Sequence, residues 1–439
     1  MYSKRVQGIF SSKKIVVGDR IRLKKGRKVY EGTLMPRPGI GDADILVIKL
    51  DNGYNLGVGF GEKDKLEKIS AGGKITIKEP GVAFSEKSPL VTLLATGGTI
   101  ASRVDYRTGA VSAAISPEDL LRYVPELADI VNLKLERPFN KMSEDMDHRD
   151  WQVLARETAR ALNSGSEGVI ITHGTDSLAF TSAALSFMLK SPKPVVLTAA
   201  QKSSDRGSSD AAMNLLCSAI AATGEIAEIG ICMHGTMNDD HCLFIRGTRA
   251  RKMNTVRRDA FRPINDLPLA KIWPDGKVQR IHTEFARRGK GKAKVDSKFE
   301  PKVALLKAYP GSDPSIMDYL ISKGYKGFVV EAMGLGHVPT NTDKTWISSV
   351  KAAADSDIPV FVCSQTLYGR VNPNVYSNLR TLFYGAGAIP GEDMLAETAY
   401  VKLGWVLGHT KSLEKARKMM LANYAGEISP RTLPDTYLY

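Results

Sequence analysis

In the first part of the chain the hydrophobic residues recur at every second position. The alternating runs are residues 17–23, 29–34, 44–50 and 55–60. This period predicts strands with one buried face, and the Gly, Pro, Asn and Asp residues between the runs predict tight turns. Residues 1–88 are therefore predicted to form a small antiparallel β-barrel of the SH3-like kind, with a linker over 70–88. The polar residues 1–14 are expected to be a tether or to be loosely ordered.

Farther along the chain the hydrophobic residues stand in unbroken runs. These runs are residues 89–95, 168–172, 195–198 and 228–233. Unbroken runs predict strands that are buried on both faces of a parallel sheet, and the segment 178–189 changes to a helical period. From residue 303 a second alternation of strands and helices predicts a smaller parallel α/β domain. The predicted domains are therefore 1–88, 89–300 and 301–439.

The composition is that of a globular protein, since 43% of the 439 residues are hydrophobic and 25% are charged. No hydrophobic run approaches the length of a membrane span, and the first residues do not lead into a signal-peptide core. We therefore expect a cytoplasmic protein without a membrane partner. The four cysteines form no CxxC pair and the chain has no HExxH sequence, so we expect neither a disulfide framework nor a metal site.

The positive charge is unevenly distributed. The chain carries a formal net charge of +14, and residues 1–88 hold 18 Lys and Arg against 10 Asp and Glu. A field of this sign attracts a polyanion such as RNA, although a solvated basic surface explains the charge equally well. Residues 286–294 form a second basic segment with interspersed glycines. We expect this segment to be a flexible, solvated linker, with RNA contact as the alternative.

Two polar motifs follow the first two buried strands, namely Thr-Gly-Gly-Thr-Ile-Ala at 96–101 and His-Gly-Thr-Asp-Ser at 173–177. Open α/β sheets bind ligands at the carboxyl ends of their strands, and hydroxyls beside a carboxylate suit acyl transfer. The two motifs resemble the signatures of the L-asparaginase family of amidohydrolases. Blocks at 143–146 and 393–399 follow in the order of that family, so that the resemblance covers residues 89–439.

The resemblance implies an asparaginase-like fold of two α/β domains, a larger N-terminal and a smaller C-terminal one, each with a parallel sheet and here preceded by the barrel. It also implies hydrolysis of a side-chain carboxamide to a carboxylate and ammonia, without a metal or organic cofactor. The sequence leaves open which threonine attacks first, and we expect Thr99 to be the nucleophile, with Thr175, Asp176 and Lys252 supplying proton transfer and orientation. Tyr106, in the flap that follows Thr99, would help to orient the nucleophile.

The resemblance further implies that Ser143, Glu144 and Asp176 bind the amino and carboxylate groups of the substrate. The family typically has glutamine after the serine, whereas this chain has Glu144. A carboxylate at this position favours an ammonium group over a carboxylate. We therefore expect a substrate specificity that differs from that of a free-standing asparaginase.

Three functions are compatible with these features. The first is a free-standing L-asparaginase, which releases aspartate and ammonia. The second is the glutaminase component of an archaeal-type glutamyl-tRNA(Gln) amidotransferase, which resembles an asparaginase with an additional N-terminal barrel. The third is a non-catalytic RNA-binding protein. The complete set of Thr99, Thr175, Asp176 and Lys252 argues against the third function, and the barrel, Glu144 and the basic charge favour the second.

The second function implies specific partners. The chain would hydrolyse glutamine and pass ammonia to the E-type subunit of the amidotransferase, which binds Glu-tRNA(Gln) and uses ATP to convert it to Gln-tRNA(Gln). The family resemblance also implies a homodimer, because the C-terminal domain of one asparaginase chain completes the site of its neighbour. The expected assembly is therefore a homodimer within a heterotetramer.

Overall fold

A computed structural model describes residues 2–35, 42–50, 55–71, 88–97, 102–104, 111–113, 124, 126–202 and 209–439. Three predicted features lie outside these described residues, namely the nucleophile Thr99, the position of Tyr106 in a flap, and most of the linker.

The N-terminal β domain is an antiparallel sheet with one helix. Its elements are α1 (Lys4–Ser12), β1 (Arg20–Lys25), β2 (Lys28–Leu34), β3 (Ile45–Lys49), β4 (Asn55–Gly59) and β5 (Lys65–Ser70). The five strands are ordered β4-β3-β2-β1-β5, and every neighbouring pair is antiparallel. Ile21 and Leu23 on β1 are fully buried while Arg20, Arg22 and Lys24 are partly exposed, which confirms the alternating pattern.

Helix α1 contradicts the expectation that residues 1–14 are loosely ordered. The Ser3 side chain accepts a hydrogen bond from the backbone N–H of Val6 and caps the helix. Val6 and Phe10 lie one turn apart, so that both side chains reach the core of the β domain, where they are buried. Two apolar residues at helical spacing therefore order a segment that is otherwise polar.

The second domain contains an eight-stranded sheet with helices on both faces. Its strands are β6 (Leu90–Ala95), β7 (Ser102–Val104), β8 (Val111–Ala113), β9 (Asn132–Glu136), β10 (Gly168–Thr172), β11 (Leu189–Lys190), β12 (Val195–Thr198), β13 (Ile229–His234), β14 (Cys242–Arg246), β15 (Ala250–Lys252), β16 (Phe261–Pro263), β17 (Ala270–Ile272), β18 (Val278–Arg280) and β19 (Lys294–Val295). Its helices are α2 (Leu127–Ile130), α3 (His148–Asn163), α4 (Leu178–Met188) and α5 (Ala211–Thr223).

The order of the main sheet is β18-β17-β14-β13-β12-β10-β6-β9. Strands β13, β12, β10 and β6 are parallel, which confirms the prediction made from the unbroken hydrophobic runs, and β9, which those runs did not include, is parallel to β6 as well. Strands β14, β17 and β18 extend the sheet in antiparallel fashion. Helices α3 and α4 pack on one face and α5 on the other, so that the central strands are buried on both sides.

The third domain is a smaller parallel sheet with its own helices, as the sequence predicts. Its strands are β20 (Val303–Lys307), β21 (Gly327–Ala332), β22 (Val360–Ser364) and β23 (Ile389–Pro390), and its helices are α6 (Ser315–Ser322), α7 (Trp346–Asp355), α8 (Ser377–Arg380), α9 (Ala396–Leu407) and α10 (Leu413–Leu421). All neighbouring pairs of these strands are parallel. Within the described parts of the chain, no helix combines the length and the apolar character that a membrane crossing requires.

Helix α9 joins the second and third domains. It packs against α4 of the second domain and against strands β20, β21 and β22 of the third. Trp405 on α9 stacks on Phe187 of α4 at a centroid distance of 6.0 Å. Because α9 is buried between the two sheets, the two domains share one continuous hydrophobic core.

Helix α9 also carries a fully buried ion pair. The Nζ of Lys402 lies 2.6 Å from Oε1 of Glu427, and neither side chain is exposed to solvent. Lys402 also donates to the backbone oxygens of Met420 and Ala422, and Glu427 accepts from backbone N–H groups. Burial lowers the pKa of Lys402, whereas the Glu427 carboxylate opposes this effect. The pair fastens the segment after α10 to the shared core.

We expect Lys402→Met to lower the free energy of unfolding by about 3–5 kcal/mol, because it leaves the Glu427 carboxylate buried without its cation. Urea unfolding at neutral pH measures the loss. The double variant Lys402→Met/Glu427→Gln should recover part of it, and the exposed Lys411→Met should change stability by less than about 0.5 kcal/mol. If Lys402→Met is as stable as the wild-type protein, the ion pair does not stabilise the fold.

Candidate active site

The two sequence motifs begin side by side in the main sheet. Strands β6 and β10 are parallel neighbours, and Ala95 is paired with Thr172 at their carboxyl ends. Thr96 continues the contact, since its N–H and its Oγ1 both donate to the Thr172 carbonyl, at 3.2 and 2.9 Å. Residues 97 and 173 therefore leave the sheet at the same edge, where ligands bind in folds of this kind.

Two glycines allow a third segment to reach this edge. A Cβ atom on Gly97, whose φ is +120°, would lie 2.3 Å from the Lys141 carbonyl oxygen. A Cβ atom on Gly174 would lie 2.6 Å from Oγ of Ser143. Any larger residue would clash at either position, so the two glycines permit segment 140–146 to pack against both strand ends.

The structure places Ser143 beside the second motif. Ser143 begins the 3₁₀ turn Ser143–Asp145 and is 3% exposed. Its carbonyl oxygen accepts a hydrogen bond from Oγ of Ser177, the last residue of the motif. Glu144, the next residue, is exposed to solvent. Ser143 and Glu144 therefore lie at the same corner as Thr175 and Asp176.

Lys252 connects the two polar side chains of the second motif. Its Nζ donates to Oγ1 of Thr175 at 2.8 Å and to Oδ1 of Asp176 at 2.7 Å. The Lys252 side chain is 19% exposed, whereas that of Asp176 is 66% exposed. The structure thus brings the lysine to two residues that lie 77 and 76 positions away from it along the chain.

This arrangement suits proton transfer at a hydroxyl. When an amine donates to the threonine oxygen, the hydroxyl proton is free to point towards a bound substrate or water. The positive charge of the amine stabilises negative charge that develops on that oxygen, and the carboxylate fixes the amine. Thr175, Lys252 and Asp176 therefore form a unit that can activate a hydroxyl or a water molecule.

His173, in the same motif, is buried and hydrogen-bonded within the fold. It is fully buried, its Nδ1 lies 2.7 Å from the Gly174 carbonyl oxygen, and its Nε2 lies 2.9 Å from Oγ1 of Thr181. Trp151 Nε1 donates to the same Thr181 oxygen at 3.1 Å. Both ring nitrogens of a neutral imidazole are therefore satisfied. Burial lowers the pKa of His173 to about 4, so the ring is uncharged at neutral pH.

The segment that carries Lys252 is anchored in the third domain. Arg249 is 1% exposed, and its Nη1 lies 3.1 Å from Oδ2 of the equally buried Asp393. Its other nitrogens donate to the Gly426 carbonyl at 2.8 Å and to Oγ of Ser429 at 2.7 Å. Three residues later the chain reaches Lys252, so the C-terminal segment determines where this lysine lies.

Two further bonds support the same segment. Arg251 pairs with Glu397 at the start of α9, and Thr398 Oγ1 donates to the Thr248 carbonyl at 2.8 Å. Reasoning from the sequence did not identify Arg249 or Arg251 as part of the site. The block 393–399, which resembles the family, contains Asp393 and Glu397 and could have indicated such partners.

Sequence models of known protein families match three successive parts of the chain. The sequence model described as "Asparaginase, N-terminal" matches residues 90–286, and the "Glutaminase/Asparaginase C-terminal domain" matches residues 302–420. The "GatD N-terminal domain" matches residues 15–69.

Curated relatives match from end to end. The glutamyl-tRNA(Gln) amidotransferase D subunit of Pyrococcus furiosus is 52% identical over 99% of this chain and 100% of its own length. The D subunit of Methanothermobacter thermautotrophicus is 46% identical over 98% of each chain.

Solved asparaginases match a smaller part of the chain. The thermostable L-asparaginase from Thermococcus kodakarensis is 32% identical, with a TM-score of 0.69, and it covers 77% of this chain and 99% of its own. The probable cytoplasmic L-asparaginase from Campylobacter jejuni is 27% identical, with a TM-score of 0.64, over 76% of this chain and 100% of its own.

The asparaginase fold of the second and third domains is thus combined with an N-terminal domain that the D subunits also have. High identity along the full length and the matching domain content lead to the same conclusion. The chain belongs to the family of glutamyl-tRNA(Gln) amidotransferase D subunits, which is built on the asparaginase fold.

Proposed function

We propose that this protein is the glutaminase component of a tRNA-dependent amidotransferase. It hydrolyses glutamine to glutamate and ammonia and supplies the ammonia to a partner that converts Glu-tRNA(Gln) to Gln-tRNA(Gln). The observation that carries this proposal is the unit of Thr175, Lys252 and Asp176, within a chain that is similar to D subunits over its full length.

The proposed reaction is acyl transfer to a threonine. The Thr99 hydroxyl attacks the carboxamide carbon of glutamine, the C–N bond breaks, and ammonia leaves with the proton that the hydroxyl has lost. Water then hydrolyses the ester, which releases glutamate and restores the hydroxyl. Thr175 and Lys252 move the protons in both steps, Asp176 holds Lys252, and main-chain N–H groups at the strand ends bind the oxyanion.

The remaining site residues hold the substrate in this proposal. Ser143 and Asp176 bind its α-carboxylate and α-amino groups, and the exposed Glu144 attracts the ammonium. Tyr106, in the flap, orients the Thr99 hydroxyl. The packing of segment 140–146 against Gly97 and Gly174 supports these assignments, because it places Ser143 at the corner that carries Asp176.

The proposed assembly is a homodimer within a heterotetramer. The E-type subunit binds Glu-tRNA(Gln) and uses ATP, so this chain needs no cofactor of its own. The domains proposed for these tasks are a barrel-type domain with linker at 1–88 and the two asparaginase-like domains at 89–300 and 301–439. Because its substrates belong to translation, the proposal assigns the protein to the cytoplasm.

The proposal predicts that glutamine is the amide donor and that the complete mixture amidates tRNA. The measurement is ammonia release from glutamine and from asparagine, by the chain alone and then with the E-type subunit, ATP and Glu-tRNA(Gln). We expect glutamine turnover to rise in the complete mixture and Gln-tRNA(Gln) to form, and we expect Thr99→Ala to abolish both. If asparagine hydrolysis is rapid and the added components do not change its rate, the protein is instead a free-standing asparaginase.

Lys252→Met is expected to lower kcat for glutamine hydrolysis by about 10²–10⁴-fold, because the Thr175 hydroxyl loses its cation. The matched control Lys411→Met removes an exposed lysine outside the site and should retain full activity. Steady-state kinetics with thermal unfolding separates lost chemistry from lost folding. If Lys252→Met folds and keeps normal kcat, the proposed proton transfer is wrong.

The pKa of His173, about 4 in the folded chain, predicts a pH dependence of stability. As the pH falls, the unfolded chain binds a proton at this residue near pH 6.5, before the folded chain does. The free energy of unfolding is therefore unaffected by this histidine above pH 6.5. It decreases as the pH falls towards 4, by roughly 3 kcal/mol in total. Urea unfolding of wild type and His173→Gln between pH 4 and 8 measures this decrease. If the free energy of unfolding falls with pH equally steeply in both proteins, the prediction is contradicted.

A further inference from the structure

A group of four lysines lies apart from the candidate active site. This lysine surface consists of Lys190 on β11, Lys294 on β19, and Lys290 and Lys292 in the loop before β19. All four residues are exposed to solvent. In the described part of the chain, none of the four forms an ion pair with a carboxylate.

The loop that carries these lysines is held in place at both ends. Arg288 donates to the carbonyl oxygens of Glu167 at 2.6 Å, Gly224 at 2.8 Å and Ala222 at 2.9 Å. On the other side of the loop the Ala293 N–H donates to the Asn163 side chain at 2.8 Å. These bonds contradict the expectation of a flexible linker at 286–294, and they present Lys290 and Lys292 on a fixed support.

The carboxylates near the loop already have cationic partners. Glu167 pairs with Lys193 and Arg288. Glu225 pairs with Arg280 and Arg287. The arginines of this region therefore serve the fold, while the four lysines are an excess of positive charge that the fold does not use.

Two of the lysines oppose each other directly. In the antiparallel pair of β11 and β19, Lys190 is the cross-strand partner of Lys294. Like charges in this position repel and destabilise the pair of strands. An anion bound beside this pair and the basic loop would relieve the repulsion, so the lysine surface suits an anionic ligand.

We infer that the lysine surface binds the phosphate backbone of RNA, which under the proposed function is the tRNA. Lysine binds phosphates as a point charge, whereas the cores of protein interfaces are depleted of lysine and enriched in aromatic residues and arginine. The inference rests on the proposed function for the identity of the RNA. The surface makes contacts that depend on charge and carry no sequence preference.

The test uses the full-length protein and a tRNA(Gln) transcript. The surface variant replaces all four lysines by glutamine. The matched control replaces four other exposed lysines, namely Lys307, Lys326, Lys411 and Lys415, and so removes the same charge elsewhere. Affinity is measured by filter binding at several salt concentrations. We expect the surface variant to lose about tenfold or more in affinity and its salt slope to fall by up to about four, while the control changes much less.

A single variant separates binding from folding. Lys294→Gln removes the repulsion with Lys190, so the melting temperature should rise by about 1–2 °C while RNA affinity falls. If the surface variant and the control lose affinity equally, or if neither loses any, the inference is overturned.

Amidation by the wild-type chain with the E-type subunit is measured in parallel. Its absence would overturn the proposed function, whereas amidation with unchanged tRNA binding by the surface variant would overturn only the lysine surface.

Discussion

The buried ion pair of Arg249 and Asp393 is the contact on which the rest of the site depends. A guanidinium that is 1% exposed is stable only when its donors are satisfied, and here a carboxylate, a hydroxyl and backbone oxygens all accept from it. These acceptors belong to the third domain and the C-terminal segment, while Arg249 belongs to the segment of Lys252. Removing either charge would leave the other buried without a partner, so the two parts of the chain are fixed relative to each other.

The same anchor explains how the unit of Thr175, Lys252 and Asp176 forms within the second domain with support from the third. Strand β10 leads into Thr175 and Asp176 at the edge of the main sheet, where Gly97 and Gly174 leave room for the Ser143 segment. Lys252 reaches this edge from a short hairpin that the third domain holds in place. Helix α9 and the shared hydrophobic core keep the domains in contact, so that the distances of 2.8 and 2.7 Å from the lysine are maintained.

The basic residues discussed above fall into two groups. Arginines such as Arg249 and Arg288 are paired and bind backbone oxygens inside the fold, because the planar guanidinium satisfies several acceptors at once. The lysines of the lysine surface remain exposed, and two of them face each other across a pair of strands. The basic composition of the chain is therefore partly structural and partly available for an anionic partner.

Strands β6, β10, β12 and β13 of the main sheet and β20, β21 and β22 of the smaller sheet could be predicted from the sequence alone, since the hydrophobic period follows directly from which faces a strand buries. Strands β9, β14, β17 and β18 of the main sheet were not predicted. The family resemblance selected Thr175, Asp176 and Lys252, and the structure brings these three side chains together, while their catalytic roles stay a prediction. The helix Lys4–Ser12, the buried partners of Arg249 and the fixed loop at 286–294 could not be predicted in this way. These features exist only in the folded chain, because each depends on groups far apart in the sequence that meet after the core has packed.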